Sequence, residues 1–341
     1  MIPQKFLKFF TLIFLSSFLF SIETTSDFRG KVTDNFGNSL QGANVTITNV
    51  GTNISSSTTT NETGNFIISN LSVGGPYTIL ITSSVGSQRY EDVFLNLGQT
   101  LALNVTLRDF EQLVVTGAQV SQAQVAIGPN TIFNEIDLET TPSIERDIKE
   151  VLLSDPRFTI NPDNRRALSC NGSHPRLNGF TLDGVALTDG FGLNSNGYPT
   201  TRMPFSYDAV QQVAVEFAPF DVQYGNFQAC AINAVTKSGT NEISGNAFYE
   251  YAGDELAGNK YGDNTFTPVP YEESKVGFTL GGPMIQDKAF FFLAVERYDQ
   301  VDTSPYGPLG SGAPNEQDFI SMSMYLSLIH ISEPTRPLYN S

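Results

Sequence analysis

From Ile243 to Tyr251 the chain alternates, with Ile243, Gly245, Ala247, Tyr249 and Tyr251 on one parity and Ser244, Asn246, Phe248 and Glu250 on the other. Val276, Phe278 and Leu280 repeat the pattern against Lys275, Gly277 and Thr279, and Ala289 to Tyr298 adds a third segment with Phe on both parities. A period of two sends successive side chains to opposite faces of a strand. Segments of this length fit strands that cross a bilayer with one face to lipid, and they fit an ordinary soluble antiparallel sheet as well. In lipid, an open sheet edge leaves amide and carbonyl groups unpaired at a cost of several kcal/mol each. Three strands would therefore have to be the start of a larger closed barrel. Phe248 interrupts the polar parity, which predicts a strand with a wet lower part and an aromatic upper part.

The N-terminus predicts export. Lys5 and Lys8 precede the apolar stretch Phe9 to Phe20, which is shorter than the ~20 residues of a spanning helix. This is the layout of a secretory signal peptide over residues 1–22, with cleavage between Phe20 and Asp27. A formal net charge of −16 argues against a nucleic-acid partner, which needs a basic footprint. With 29 Gly, 18 Pro, 26 Phe and 13 Tyr, the composition is that of turn-rich β structure. The two cysteines, Cys170 and Cys230, could pair in an oxidising compartment or remain two buried thiols.

Residues 27–108 read as short strands between turns. Phe28 to Thr33 leads into the turn Asp34 to Asn38, and Ala43 to Ile47 alternates. After the turn Asn61 to Gly64 come Asn65 to Ile68, Tyr77 to Ile81 and Leu101 to Leu107. Strands at this spacing predict a small sandwich, with Val45 and Ile47 inward and Asn44 and Thr46 outward. The two histidines, His174 and His330, lie far apart without metal-ligand spacing, so no zinc hydrolase site and no other cofactor is expected. No nucleophile–base pair stands out either, and the chain is not read as an enzyme.

A linker follows at 109–120. Its segment Glu111, Gln112, Leu113, Val114, Val115 and Thr116 is β-prone and ends at Gly117. It has two readings: the last edge strand of the sandwich, or an extended segment outside both domains that adds to a partner's sheet. In the next region, 121–237, Thr141-Pro142 suits a helix start. Ile144, Ile148, Val151 and Leu152 then fall at helical spacing until Asp155-Pro156, predicting about three turns. Strand-like pieces at Arg176 to Phe180, Thr181 to Val185, Val213 to Phe217 and Ala231 to Val235 complete an α+β module, with Asp189 to Thr201 as loop.

Several of these pieces resemble known families. Gly30 to Asp34, Leu40 to Val45, Thr63 to Phe66 and Val105 to Leu107 resemble the carboxypeptidase regulatory-like, transthyretin-like domain. Glu111 to Gly117 is similar to the TonB box, Leu182 to Val185 to the plug's Asp-Gly-Val turn, and Asp208 to Val215 with Tyr224-Gly225 to a further plug segment. Ile232 to Lys237 resembles the plug's exit strand, and Gly281 to Lys288 a periplasmic barrel turn. The set resembles the TonB-dependent outer-membrane receptors, in their Oar-like group. Gln211 and Gln212 depart from the acidic positions common in that plug segment, so no charge is given a role there.

The resemblance implies a mixed fold: a transthyretin-like β-sandwich, an α+β plug domain, then the first strands of a transmembrane antiparallel β-barrel over 238–316, 22-stranded in the family. It implies a bacterial outer-membrane location with the sandwich in the periplasm. It also implies gated import of an extracellular substrate of unknown identity (peptide, protein or glycan), driven by the TonB protein, with outer-membrane lipid around the barrel. The alternative is a secreted or surface-attached adhesin or carbohydrate-binding protein. After Glu316 the β pattern is expected to lapse, and 327–341 resembles a translated sequencing-adapter peptide, to which no function is given.

Overall fold

The structure is a computed structural model. It describes residues 24–108, 112–116, 129–161, 167–189, 197–200, 202–217, 227–265, 270–305 and 314–328. The leader, Glu111, Tyr224-Gly225, His330 and most of the loop 189–201 lie outside the described residues. The chain divides into two compact units, Met1–Arg202 with Val210–Thr236, and Met203–Ala209 with Lys237–Ser341.

The first unit opens with seven strands: β1 (Thr25–Thr33), β2 (Asn44–Asn49), β3 (Ser55–Thr59), β4 (Asn65–Ser72), β5 (Gly74–Thr82), β6 (Ser87–Leu95) and β7 (Thr100–Thr106). One sheet has the order β4-β1-β7. The other has β3-β2-β5-β6 and then β8 (Gln112–Thr116) at its edge. Alternation sends Phe28, Val32, Val45, Ile47, Ile79 and Ile81 into one core. The turns close as their residues dictate. Asp34 Oδ1 accepts from the amides of Phe36 and Asn38, and Gly64, at φ +76°, sits where a Cβ would come within 2.6 Å of the Val32 carbonyl.

The second part of this unit comprises β9 (Asn130–Phe133), helices α1 (Glu135–Thr140) and α2 (Ile148–Leu152), and a hairpin of β10 (Phe158–Asn161) with β11 (Ala167–Cys170). Then come β12 (Gly179–Leu182), β13 (Val185–Ala186), β14 (Val210–Phe217) and β15 (Cys230–Thr236). They form the five-stranded sheet β13-β12-β15-β14-β9, in which β12 and β15 are parallel.

The expected three-turn helix is corrected. Thr141 caps the end of α1, α2 begins after Asp147, whose carboxylate accepts from the Lys149 amide, and Ile144 is exposed between them. The residue before a proline is pushed out of the helical region, and Thr141 before Pro142 is extended at φ −81°, ψ 121°. Arg146, at φ +54°, breaks the run again.

In the second unit, β16 (Ser244–Gly253), β19 (Tyr271–Ile285), β20 (Ala289–Pro305) and β21 (Pro314–Leu328) form an antiparallel meander. A small hairpin of β17 (Lys260–Tyr261) and β18 (Asn264–Thr265) lies in the loop between β16 and β19. The strand pattern does not lapse at Glu316: β21 continues to Leu328, paired residue for residue with β20 from Pro305↔Pro314 to Phe291↔Leu328. The reason is in the residues themselves: Ile320, Met322, Met324, Leu326 and Leu328 alternate with Ser321, Ser323, Tyr325 and Ser327, a period of two that continues the strand pattern past Glu316.

Candidate functional site: an edge strand, a buried amide pin and a two-faced sheet

The segment Gln112–Thr116 forms β8, hydrogen-bonded in parallel to β6, from Ser87↔Gln112 to Glu91↔Thr116 without a register shift. The expectation that it lies outside both domains is therefore corrected, in favour of the edge-strand reading. The reason is an edge that would otherwise stay unpaired, met by the β-prone run Leu113-Val114-Val115 a short way down the chain. Glu111 falls outside the described residues. Within this sheet β8 is terminal, so β6 satisfies one of its two edges. The opposite edge strand, β3, is a run of five Ser and Thr.

Beyond Leu95, where β6 ends, Asn96 and Leu97 meet strand β14. Gln212 is 2% exposed; its Oε1 accepts from the Leu97 amide at 2.6 Å. Its Nε2 donates to Asn134 Oδ1 at 2.6 Å and to Asn96 Oδ1 at 3.3 Å. Val73 and Leu97 of the sandwich pack with Ala214, Val235 and Ile132 of the five-stranded sheet. Sequence reasoning set Gln212 aside as a departure from an acidic pattern. An amide is what this position uses, because a carboxylate could accept from Leu97 but not donate to two carbonyl oxygens. A polar residue amid the apolar run of β14 was the available signal.

The other face of β14 meets the β10–β11 hairpin through Phe217. Phe158 and Phe217 meet at a tilt with ring centroids 5.6 Å apart, and Arg157 lies 3.6 Å over the Phe217 ring. Arg157 Nε donates to Asp155 Oδ1 at 3.0 Å, and this bond holds the Asp155 carboxyl well below the usual carboxylate range. Burial pushes Glu216 up to about 7, partly offset by the Asn130 side-chain amide at 3.3 Å. Burial, with the Asp147 carboxylate 2.9 Å away as a second cause, raises the Tyr198 hydroxyl well above its ordinary value.

Cys170 and Cys230 are joined, with a Cα–Cα distance of 6.3 Å, tying the end of the β10–β11 hairpin to the start of β15. At the Asp-Gly turn, Asp183 adopts φ +49° and accepts from the amide and hydroxyl of Thr236 at 2.9 and 2.8 Å, which pins the turn to the end of β15. His174 caps a short 3-10 turn through Nδ1, accepting from the Arg176 amide. A cavity of about 20 Å³, lined by Lys149, Phe180, Tyr198 and Ile232 among others, has room for one water and none for a cargo. Among the described residues no cluster of His, Cys, Asp and Glu could hold a metal ion.

The meander of the second unit has two unlike faces. Tyr249, Val276, Phe278 and Leu280 are exposed on one, with Val276↔Tyr249 and Phe278↔Val295 in register. On the other, Lys275 is 4% exposed, with Nζ 2.8 Å from Glu273 and 3.7 Å from Glu250, and 5.7 Å from the Tyr298 ring. Ala209 packs there on Phe292 and Ala294, and the Ser206 hydroxyl donates to Glu296 at 3.1 Å. Phe248, which breaks the polar parity, sits opposite Gly277, where a Cβ would come 2.5 Å from its ring. An apolar face outward and a face of ions, glycines and small residues inward is the division a membrane barrel requires.

Comparison with known proteins agrees with both ends of the chain. A carboxypeptidase regulatory-like domain matches residues 27–108, and an outer membrane β-barrel domain matches residues 235–309. The TonB-dependent transporter Oar of Myxococcus xanthus is 32% identical over 132 residues, covering 37% of this chain and 12% of that relative. Among solved structures, the outer membrane transporter YddB from Escherichia coli is similar at a TM-score of 0.43 and 13% identity, over 58% of this chain and 30% of that one. The siderophore receptor PirA from Acinetobacter baumannii is similar at 0.39 and 19%, over 51% and 25%. The chain thus spans a small part of the length of these relatives. The barrel-domain match and the Oar relative place it in the outer membrane, and they do not favour a secreted adhesin.

Proposed function

We propose that this chain, which belongs with the TonB-dependent outer-membrane receptors of the Oar-like group, serves the gated import of a cargo in the class of peptides, proteins or glycans. In this reading residues 121–237 are the plug, the second unit begins a barrel of the family's 22-stranded kind, and the sandwich stands in the periplasm. Cargo binds from outside, and the periplasmic TonB protein then draws on Glu111, Gln112, Leu113, Val114, Val115 and Thr116 to open a path past the plug. The observation that supports this most is the two-faced meander: Val276, Phe278 and Leu280 make an outward apolar band, while Lys275, Glu250 and Glu296 line the inward side.

The handle reading rests on β8. It is extended, has no charged residue, and among the described residues pairs with one neighbouring strand, as strand addition by a partner requires. The test is Val114→Pro in the intact receptor in whole cells. Proline removes a backbone donor and stiffens the strand. Uptake should be lost while surface binding of cargo stays at the wild-type level. Unchanged uptake would refute the handle.

A further inference from the structure

The role of the sandwich follows from what it does to β8. A segment that must pair with a partner normally loses its conformational freedom at the moment of binding, and that loss subtracts from affinity. Here the five residues Gln112–Thr116 already form a strand, aligned in parallel with Ser87–Glu91 and without a bulge. In a strand, the backbone groups of alternate residues point to opposite edges. Pairing with β6 therefore uses one set, and among the described residues no strand pairs with the other. That open edge also lacks the usual devices against strand addition: Gln112–Thr116 contains no charged residue and no proline.

We propose that β6 is a template that presents Gln112–Thr116 as a preformed edge strand, so that a strand of the periplasmic TonB domain adds to the open edge while β6 stays paired. This rests on the handle reading and gives the regulatory-like sandwich a definite task, that of a docking platform. The opposite arrangement, in which β6 sequesters the segment until a partner strips it away, would break five residue pairs before any new pair forms. Addition to the open edge breaks none, and on that ground the platform is favoured. Strand β6 then runs directly into Asn96 and Leu97, which hold Gln212 of β14. A pull on the platform thus has a hydrogen-bonded route into the plug sheet besides the covalent one.

The experiment uses the intact receptor in nanodiscs and the purified periplasmic domain of the host TonB protein. Gln88→Cys with Leu113→Cys places cysteines at directly paired positions of β6 and β8, and peptide mapping separates the new bond from Cys170–Cys230. With the bond closed, affinity for the TonB domain should stay within about threefold of the reduced form. A loss of tenfold or more (roughly), restored by reductant, would overturn the platform in favour of sequestration. Hydrogen exchange on the wild-type receptor gives a second readout that needs no variant. Adding the TonB domain should slow exchange within 112–116 while 87–91 stays protected; loss of protection in 87–91 would also overturn it. Failure of the handle reading looks different: the TonB domain binds without altering exchange at 112–116, and Val114→Pro binds as well as wild type.

Discussion

Replacing Gln212 by Leu should loosen the sandwich from the five-stranded sheet without unfolding either. The side chains are close in volume, so the change creates little cavity. What goes is three hydrogen bonds: from the Leu97 amide at 2.6 Å, to Asn134 Oδ1 at 2.6 Å and to Asn96 Oδ1 at 3.3 Å. Leu97 is 1% exposed and Gln212 2%, so the stranded amide finds no water while the contact stays closed. A buried polar group left without its partner costs about 1–3 kcal/mol. Taking ~2 kcal/mol, and a tenfold change in an opening equilibrium for each ~1.4 kcal/mol, the Leu97 amide should exchange about 30-fold faster. The amide of Ile81, on β5 in the middle of its sheet and fully buried, serves as the control and should not change. Unaltered exchange at Leu97 in a folded variant would refute the idea that this amide pins the two modules together.

Four further outcomes are expected. Gly277→Val would drive a Cβ to within 2.5 Å of the Phe248 ring and 2.8 Å of the Val295 carbonyl, costing about 2 kcal/mol or more, and the heat-modifiable band of the folded barrel on gels should weaken. Burial pushes Glu216 up to about 7 from an ordinary 4.5, so the folded state binds the extra proton. Its contribution to stability is full below about pH 4.5 and is lost as pH rises towards 7. Glu216→Gln should abolish that part of the pH dependence of β14 amide protection; a slope that persists unchanged would assign it to another group. Replacing Cys170 and Cys230 by Ser should cost about 4 kcal/mol for a loop of 60 positions, and mass mapping of non-reduced peptides should find the pair bonded in the wild type, with two free thiols ending the claim. Fractionated cells should hold the receptor in the outer membrane, with Glu111 to Thr116 accessible from the periplasmic side.

The sandwich was largely legible because its turns carry their own chemistry. Asp34, Asn61 and Gly64 dictate where the chain reverses, and Val45 and Ile47 dictate which face is buried. Strand β6 was not legible, since its buried residues Tyr90, Val93 and Leu95 are spaced three and then two apart. A register shift around Glu91 and Asp92, the latter at φ +57°, explains the broken alternation. Strand β3 hid for another reason, being Ser and Thr throughout. The helix was misjudged because apolar spacing over Ile144 to Leu152 outweighed the backbone effect of Pro142. At the candidate site, the run Leu113 to Val115 announced a strand but could not announce its neighbour, because pairing partners are set by tertiary contacts. Gln212 was invisible for the same reason: its value lies in two modules meeting.

The bond between Cys170 and Cys230 bears on the proposed pull, because it would set which stretch of the chain can be drawn out. Traction arriving from β8 would pass along the backbone through β9, α1, α2 and the hairpin until it reached Cys170. There the sulfur link would carry it straight to Cys230, so that β12 and β13 bear none of it through the covalent chain and β14 is loaded only through the hydrogen bonds of Gln212. Under the proposed function, opening would then pay out a short N-terminal length, while the bond holds the two ends of the enclosed segment together.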